Sequence, residues 1–176
     1  MSIRIKYMVM VILVGIICVP FAFSSEFLMC ADTKNGYRMH YPSDWKIDQF
    51  PDSEDLVKAE IIKDDQTGLQ VRVYENTGEG LNAFLQWYVP DFDVKMRSRW
   101  GGEMKVINQQ YKMFDKHRGF VVSFDFTRKD GKHYFFKQYL VSKESKVYVI
   151  QCGTLFDLRE ENEDIFDSIA DSFELI

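Results

Sequence analysis

Cys152, followed by Gly153, and the three histidines His40, His117 and His133 are the residues from which a nucleophilic site could be built. A cysteine attacks only as its thiolate, so it needs a base or cation close by to take the proton. No histidine neighbours Cys152 in the chain, and any pairing with His117 or His133 would have to come from the fold. The histidines also lack the one-turn spacing that points two ring nitrogens at zinc from a single helix. There is no Gly-x-Ser-x-Gly elbow to expose a serine. Adjacent carboxylates such as Asp64-Asp65 and Glu160-Glu161 mark wet surface more often than catalysis, which needs two carboxyls at a set separation across a substrate. The acidic stretch 157–164 has neither the alternating ligands nor the fixed glycine of a calcium loop. Gly78-Glu79-Gly80 lacks the lysine and spacing of a phosphate loop. The sequence therefore predicts no catalytic residue, no metal and no cofactor. The alternative is a small hydrolase or ligand carrier whose site is assembled from distant residues, with Cys152 near a histidine.

The elements that would position such residues are legible from periodicity. Tyr37–Tyr41 predicts a short strand stopped by Pro42, and Trp45–Ile47 resumes extended structure after a Ser43-Asp44 turn. Pro42 fixes that turn, and Trp45 brings a large apolar surface back onto the sheet. Leu56–Ile62 predicts a strand, and Leu69, Val71 and Val73 alternate with Gln70 and Arg72 as its hairpin partner. The period then changes: Leu81, Phe84, Leu85 and Tyr88 form a helical stripe. Pro90 is expected to end or kink it near Val89, with further turns toward Trp100 before Gly101-Gly102 break the pattern. A strand-rich meander follows from Met104, with Phe120, Val122, Phe124 and Phe126 on one face and an Asp130-Gly131 hairpin turn. Tyr134–Val141 and Val147–Cys152 predict its last strands. Asp157 is expected to cap a closing helix whose stripe is Ile165, Phe166, Ile169 and Phe173. The fold class is α+β: an antiparallel sheet of about six strands flanked by helices in an α/β/α sandwich.

The first 24 residues predict an export signal. Arg4 and Lys6 precede an apolar run from Tyr7 to Val19, Pro20 ends it, and Ala22-Phe23-Ser24 offers small residues where a signal peptidase reads. The run is short for a membrane span of about 20 residues, although Phe21–Phe23 could extend it into an uncleaved anchor. Cys18 and Cys30 follow Ile17 and Met29, which do not suit lipid modification. Residues 25–35 then form an N-terminal arm, and 36–176 a single domain. Removing residues 1–24 takes away two basic residues and no acidic one, moving the net charge from −5 to −7. Such a charge excludes long-range attraction to nucleic acid or anionic lipid. The membrane enters only through an uncleaved signal segment. Cys18 leaves with the signal, so Cys30 and Cys152 either pair across a long loop in an oxidising compartment or remain two buried thiols.

Gly36-Tyr37-Arg38-Met39-His40-Tyr41-Pro42-Ser43-Asp44-Trp45 resembles the opening of the PsbP-like superfamily, which includes the Mog and DcrB-type proteins: an aromatic strand, a proline, a short turn and a tryptophan. The closing Ile165–Phe173 is similar to that family's C-terminal helix. The resemblance implies an antiparallel sheet between helices. It also implies protein binding without chemistry, as in stabilising a thylakoid complex, binding a small GTPase or serving in bacterial envelopes. No residue-level binding motif carries over, and the bacterial members' lipid-modification motif is absent.

The function expected is an exported, non-enzymatic binding or accessory domain acting on another envelope or secreted protein, periplasmic or extracellular. Its partner surface is expected around Trp87, Lys95, Arg97, Arg99 and Trp100, because aromatic side chains beside arginine suit interfaces.

Overall fold

Alternating segments that follow one another in the chain pair as antiparallel neighbours. β3 (Lys46–Gln49), β4 (Val57–Ile62) and β5 (Gly68–Glu75) form one meander. β6 (Glu103–Phe114), β7 (His117–Thr127), β8 (His133–Lys143) and β9 (Lys146–Leu155) form another. Pairing of β5 with β9 joins them in a seven-stranded sheet of order β3-β4-β5-β9-β8-β7-β6. The computed structural model describes residues 26–76 and 80–176, so the expected export segment lies outside the described residues.

The sheet is larger than the six strands expected, and a second, three-stranded sheet lies beside it: β1 (Phe27–Asp32), β2 (Tyr37–Pro42) and β10 (Glu174–Leu175), in the order β1-β2-β10. Residues read from sequence as an arm thus contain a strand. Phe27–Asp32 pairs residue by residue with Tyr37–Pro42 across the turn at Gly36. Available partners rather than intrinsic preference decide whether such a segment becomes a strand.

Period-two geometry sends successive side chains to opposite faces. Tyr148, Ile150 and Cys152 of β9 join a core with Tyr37, Trp45, Phe166, Ile169 and Phe173. Val147 and Val149 of the same strand join another, with Phe84, Tyr88, Phe92, Met96, Phe124 and Phe126. Helix α1 (Gly80–Trp100) supplies the second core and helix α2 (Arg159–Asp171) the first.

α1 does not stop at Pro90 but runs 21 residues through it. Proline removes one backbone donor and crowds the preceding turn. The apolar stripe continues across it at four-residue intervals, Phe84, Tyr88, Phe92 and Met96, all buried. Burying four such side chains contributes roughly 6–12 kcal/mol before entropy, more than the roughly 3 kcal/mol a mid-helix proline costs. The helix ends at the expected glycines. Gly102 has φ +104°, and a Cβ there would lie 2.0 Å from the Thr127 carbonyl oxygen, so only glycine fits.

α2 starts later than its acidic run implied. Asp157 lies in a 3-10 turn, Phe156–Leu158, and no side chain caps the helix. Buried Asn162 organises this end instead, donating to the Leu158 carbonyl at 2.9 Å and to Thr154 Oγ1 at 3.4 Å. Glu160 and Glu161 still lie in the first turn, where they favour the helix dipole. Lys137 of β8 clamps the helix to the sheet. Its Nζ donates to Glu163 Oε1 and Asp167 Oδ2, each at 2.8 Å. Tyr139 OH donates to Asp167 Oδ1 at 2.8 Å, and Arg159 Nε to Glu163 Oε2 at 2.7 Å.

Candidate binding surface

Cys30 and Cys152 are free thiols, both buried in the same core, so the disulfide entertained from sequence is not formed. They lie in different sheets, each with its own neighbours. Cys30 on β1 accepts a hydrogen bond from Gln49 Nε2 at 2.9 Å, whereas Cys152 on β9 sits opposite Leu69 and Lys137. Desolvation, with a contribution from Asp32, pushes the Cys30 thiol up to about 11. Desolvation raises Cys152 well above its ordinary value, against the pull of the Lys137 charge. A thiol held protonated and shut away from water is a poor nucleophile. Neither Cys30 nor Cys152 should react with an aromatic disulfide reagent at pH 8 in the native protein, and both should be labelled once denaturant is added; fast native labelling of either would contradict this burial.

Among the described residues no histidine hydrogen bonds to Cys152. His133 pairs instead with Asp125, one strand over on β7, and its ring stacks on Phe156 at 4.1 Å, within 5° of parallel. Sequence reading passed over this pair, although the Asp-Gly hairpin that it named sets Thr127 opposite His133 and so brings Asp125 within reach. Among the described residues no three His, Cys, Asp or Glu side chains gather as metal ligands, and no helix is long and apolar enough to cross a membrane.

The residues expected at a partner surface all lie on α1, but the helix spreads them out. Trp87 and Trp100 are 13 positions apart, about 20 Å along the axis and on different sides. Trp87 is 47% exposed, yet its ring is braced by Phe84, Tyr88 and Tyr74 at centroid separations of 4.7, 5.9 and 6.2 Å. Lys95 and Arg97 do not form a free basic patch, because Asp91 and Asp93, one turn earlier, hold them at 2.7 and 2.6 Å. Only the end of the helix joins a cation to an aromatic ring. The Arg99 guanidinium lies 4.8 Å from the Trp100 ring centre and Arg128, from the β7–β8 turn, 5.8 Å.

Two clefts flank α1. One, of about 190 Å³, is lined by Trp100, Arg128, Tyr134, Phe136, Gly153 and Gln66. The Phe136 ring lies over Gly153 on the floor of this cleft, and Gly68, paired with Gly153 across β5 and β9, lines the adjoining hollow. Arg128 Nε is buried there without a partner, as is Gln151 Oε1 in the adjoining hollow. The other cleft, of about 410 Å³, lies between α1 and β6, where Tyr111 OH donates to Asn82 Oδ1 at 3.0 Å. The first is the size of one large side chain, below the few hundred Å³ that a small-molecule site occupies. Sequence reading found Trp100 but not Arg128, Tyr134 or Phe136, which reach it only through strand pairing.

A family model described as PsbP matches residues 25–175. No curated protein matches the chain. Among solved structures it is similar to cyanobacterial PsbP (CyanoP) from Synechocystis sp. PCC 6803, with 18% identity, TM-score 0.68 and coverage of 86% of this chain and 94% of that one. The Ran-binding protein Mog1p of Saccharomyces cerevisiae is 10% identical, with TM-score 0.60 and coverage of 86% and 96%. LpqN, involved in cell envelope biogenesis of Mycobacterium tuberculosis, is 14% identical, with TM-score 0.51 and coverage of 88% and 87%. At these identities the likenesses establish the fold.

Proposed function

The chain belongs to the PsbP family, and from that footing we propose that it is an exported, non-enzymatic accessory domain that binds another protein of the envelope or secreted space. The observation that carries this reading is the braced, half-exposed Trp87 together with the Arg99–Trp100–Arg128 cluster at the other end of α1. Aromatic rings and arginine dominate protein interfaces, because a rigid ring buries much area at little entropic cost and a guanidinium offers several hydrogen-bond donors on one plane. The sequestered thiols favour binding over cysteine-dependent hydrolysis. Mog1p is named for binding Ran and LpqN for envelope biogenesis, and both support a role carried out through other macromolecules. Export is supported by the basic and apolar opening of the chain and by a family match that begins at residue 25, directly after the expected cleavage point.

Capture from envelope extracts with the protein carrying a photo-crosslinker at position 86 or 98, beside each tryptophan, tests this. A stoichiometric partner should be recovered, and Trp87→Ala or Trp100→Ala should weaken its binding at least tenfold while the fold stays intact. Recovery of no stoichiometric partner across several salt concentrations would overturn the proposal.

A further inference from the structure

Helix α1 covers the large sheet only in part. Phe92 packs on Phe124 and Phe136, and beyond Phe136 the same sheet face opens into two adjoining hollows of about 190 and 220 Å³. Strand register explains the opening. Ile62, Gly68, Gly153 and Phe136 stand side by side across β4, β5, β9 and β8, so the middle two positions carry no side chain. Two residues further along, Glu60, Gln70, Gln151 and Gln138 form a polar row across the same four strands. Glu60 and Arg72 fix the Gln70 amide between them, so this wall is set before any ligand arrives.

Buried polar side chains nearly always find a partner. Among the described residues seven buried side-chain nitrogen and oxygen atoms have none, and four of these belong to Arg128, Gln138 and Gln151. Gln138 has no exposed surface, and neither its Oε1 nor its Nε2 is bonded. Gln151 directly opposes it and lines the second hollow, its Oε1 unpaired as well. Beside the first hollow, Asp130 takes Arg128 Nη2 at 2.8 Å and leaves Nε without an acceptor. Donors and acceptors thus both lack partners where the sheet lies open.

Charge and shape narrow the class of ligand. A carboxylate would suit Arg128 but meet Glu60 at the other end, and an amine would suit Glu60 but meet Arg128. A hydroxyl group both donates and accepts, so a neutral polyol serves Arg128, Glu60 and the glutamines alike. Trp100, Tyr134 and Phe136 offer aromatic surface to C–H groups. Sugar rings combine the two, with hydroxyls round the edge and C–H on the faces. Each hollow alone is small, but together they reach the few hundred Å³ of a small-molecule site.

We propose that the joined hollows bind a neutral carbohydrate of two linked rings, one beside Trp100 and Tyr134, the other over Gly68 against Gln70 and Gln151. The proposal does not rest on the protein-partner reading, although the site shares Trp100 and Arg128 with that surface.

The test titrates the full chain with cellobiose and N,N′-diacetylchitobiose and follows backbone amide shifts by NMR. Glucose, as a single ring, and the charged disaccharides cellobiouronate and diglucosamine are the controls. At least one neutral disaccharide should bind tenfold more tightly than every control, with the largest shifts at Gly68, Gln151 and Gly153. Gln151→Leu should lose at least tenfold of that binding without a fall in thermal midpoint, because it removes an unpaired buried acceptor at similar volume. Trp100→Ala should lose as much, and Val94→Ala, exposed on α1, should lose nothing. No binding of either neutral disaccharide at millimolar concentration, equal binding of a charged control, shifts confined to other strands, or undiminished binding by Gln151→Leu would each overturn it. Should the sugars fail while Trp87→Ala still loses its captured partner, the carbohydrate site falls and the protein-partner reading stands.

Discussion

Phe166→Ala is expected to destabilise the domain by about 3–5 kcal/mol, the range for emptying a fully buried aromatic site. Phe166 has no exposed surface and meets Trp45 edge-on at 6.3 Å, so it joins α2 to the turn that follows β2. The lost ring leaves a void between a helix and two sheets, none of which can close over it without breaking pairing elsewhere. For a domain of this length each kcal/mol moves the melting midpoint by roughly 2–4 °C, so a fall of roughly 6–20 °C should be seen. Denaturant titration should show the midpoint lowered at unchanged slope. A loss below about 1 kcal/mol would mean that α2 is not held by this core. Trp87→Ala serves as the contrast, since half of that side chain is already in water and its removal should affect binding far more than stability.

Lys137→Ala should have the next largest effect, about 2–3 kcal/mol. Breaking a fully enclosed ion pair costs about 3–5 kcal/mol because the remaining charge is stranded. Here the loss is smaller, because the Glu163 and Asp167 side chains keep 25% and 36% of their surface in water. The same clamp predicts a pH dependence. Burial pushes the Glu163 carboxyl up, but hydrogen bonds from Arg159 and Lys137, with their charges, outweigh it and hold the group below its ordinary value. Such a carboxyl contributes stability above its unfolded value of 4.5, and the contribution is lost as pH falls through the lower folded value. For Lys137, desolvation opposes the charge, but hydrogen bonds to Asp167 and Glu163 raise the folded value above 10.5. Its contribution is present below that pH and lost as pH rises through the folded value. Stability of the natural protein should therefore fall below about pH 4.5, and Lys137→Ala should flatten that slope. Urea midpoints measured from pH 3 to 7 check this, and an unaltered slope in the variant would remove the clamp from the account.

What local spacing encodes was legible before any coordinates. The alternation Leu69–Val73, the stripe Leu81–Tyr88, the Asp130-Gly131 turn and the Tyr37–Trp45 opening each place their residues where their periods require, because they express backbone geometry over a few residues. Pro90 misled for the opposite reason. Its local cost is real, but four buried side chains spaced along 13 residues of α1 outweigh it. Asp157 misled likewise: its capping pattern yields to buried Asn162, whose partner Thr154 belongs to β9.

The amino-acid order by itself determined the α+β class, which short-range periodicity carries, and the family, which the Gly36–Trp45 opening and the closing helix carry by resemblance. Only the tertiary structure decided that β1 has a partner, that both cysteines are sequestered thiols and that Lys95 and Arg97 are spoken for by aspartates. It alone brings Arg128 to Trp100 and leaves β6 with a free edge. Those outcomes depend on which distant segments lie side by side, and pairing of that kind is set by the summed burial of both sheet faces rather than by any single stretch of residues.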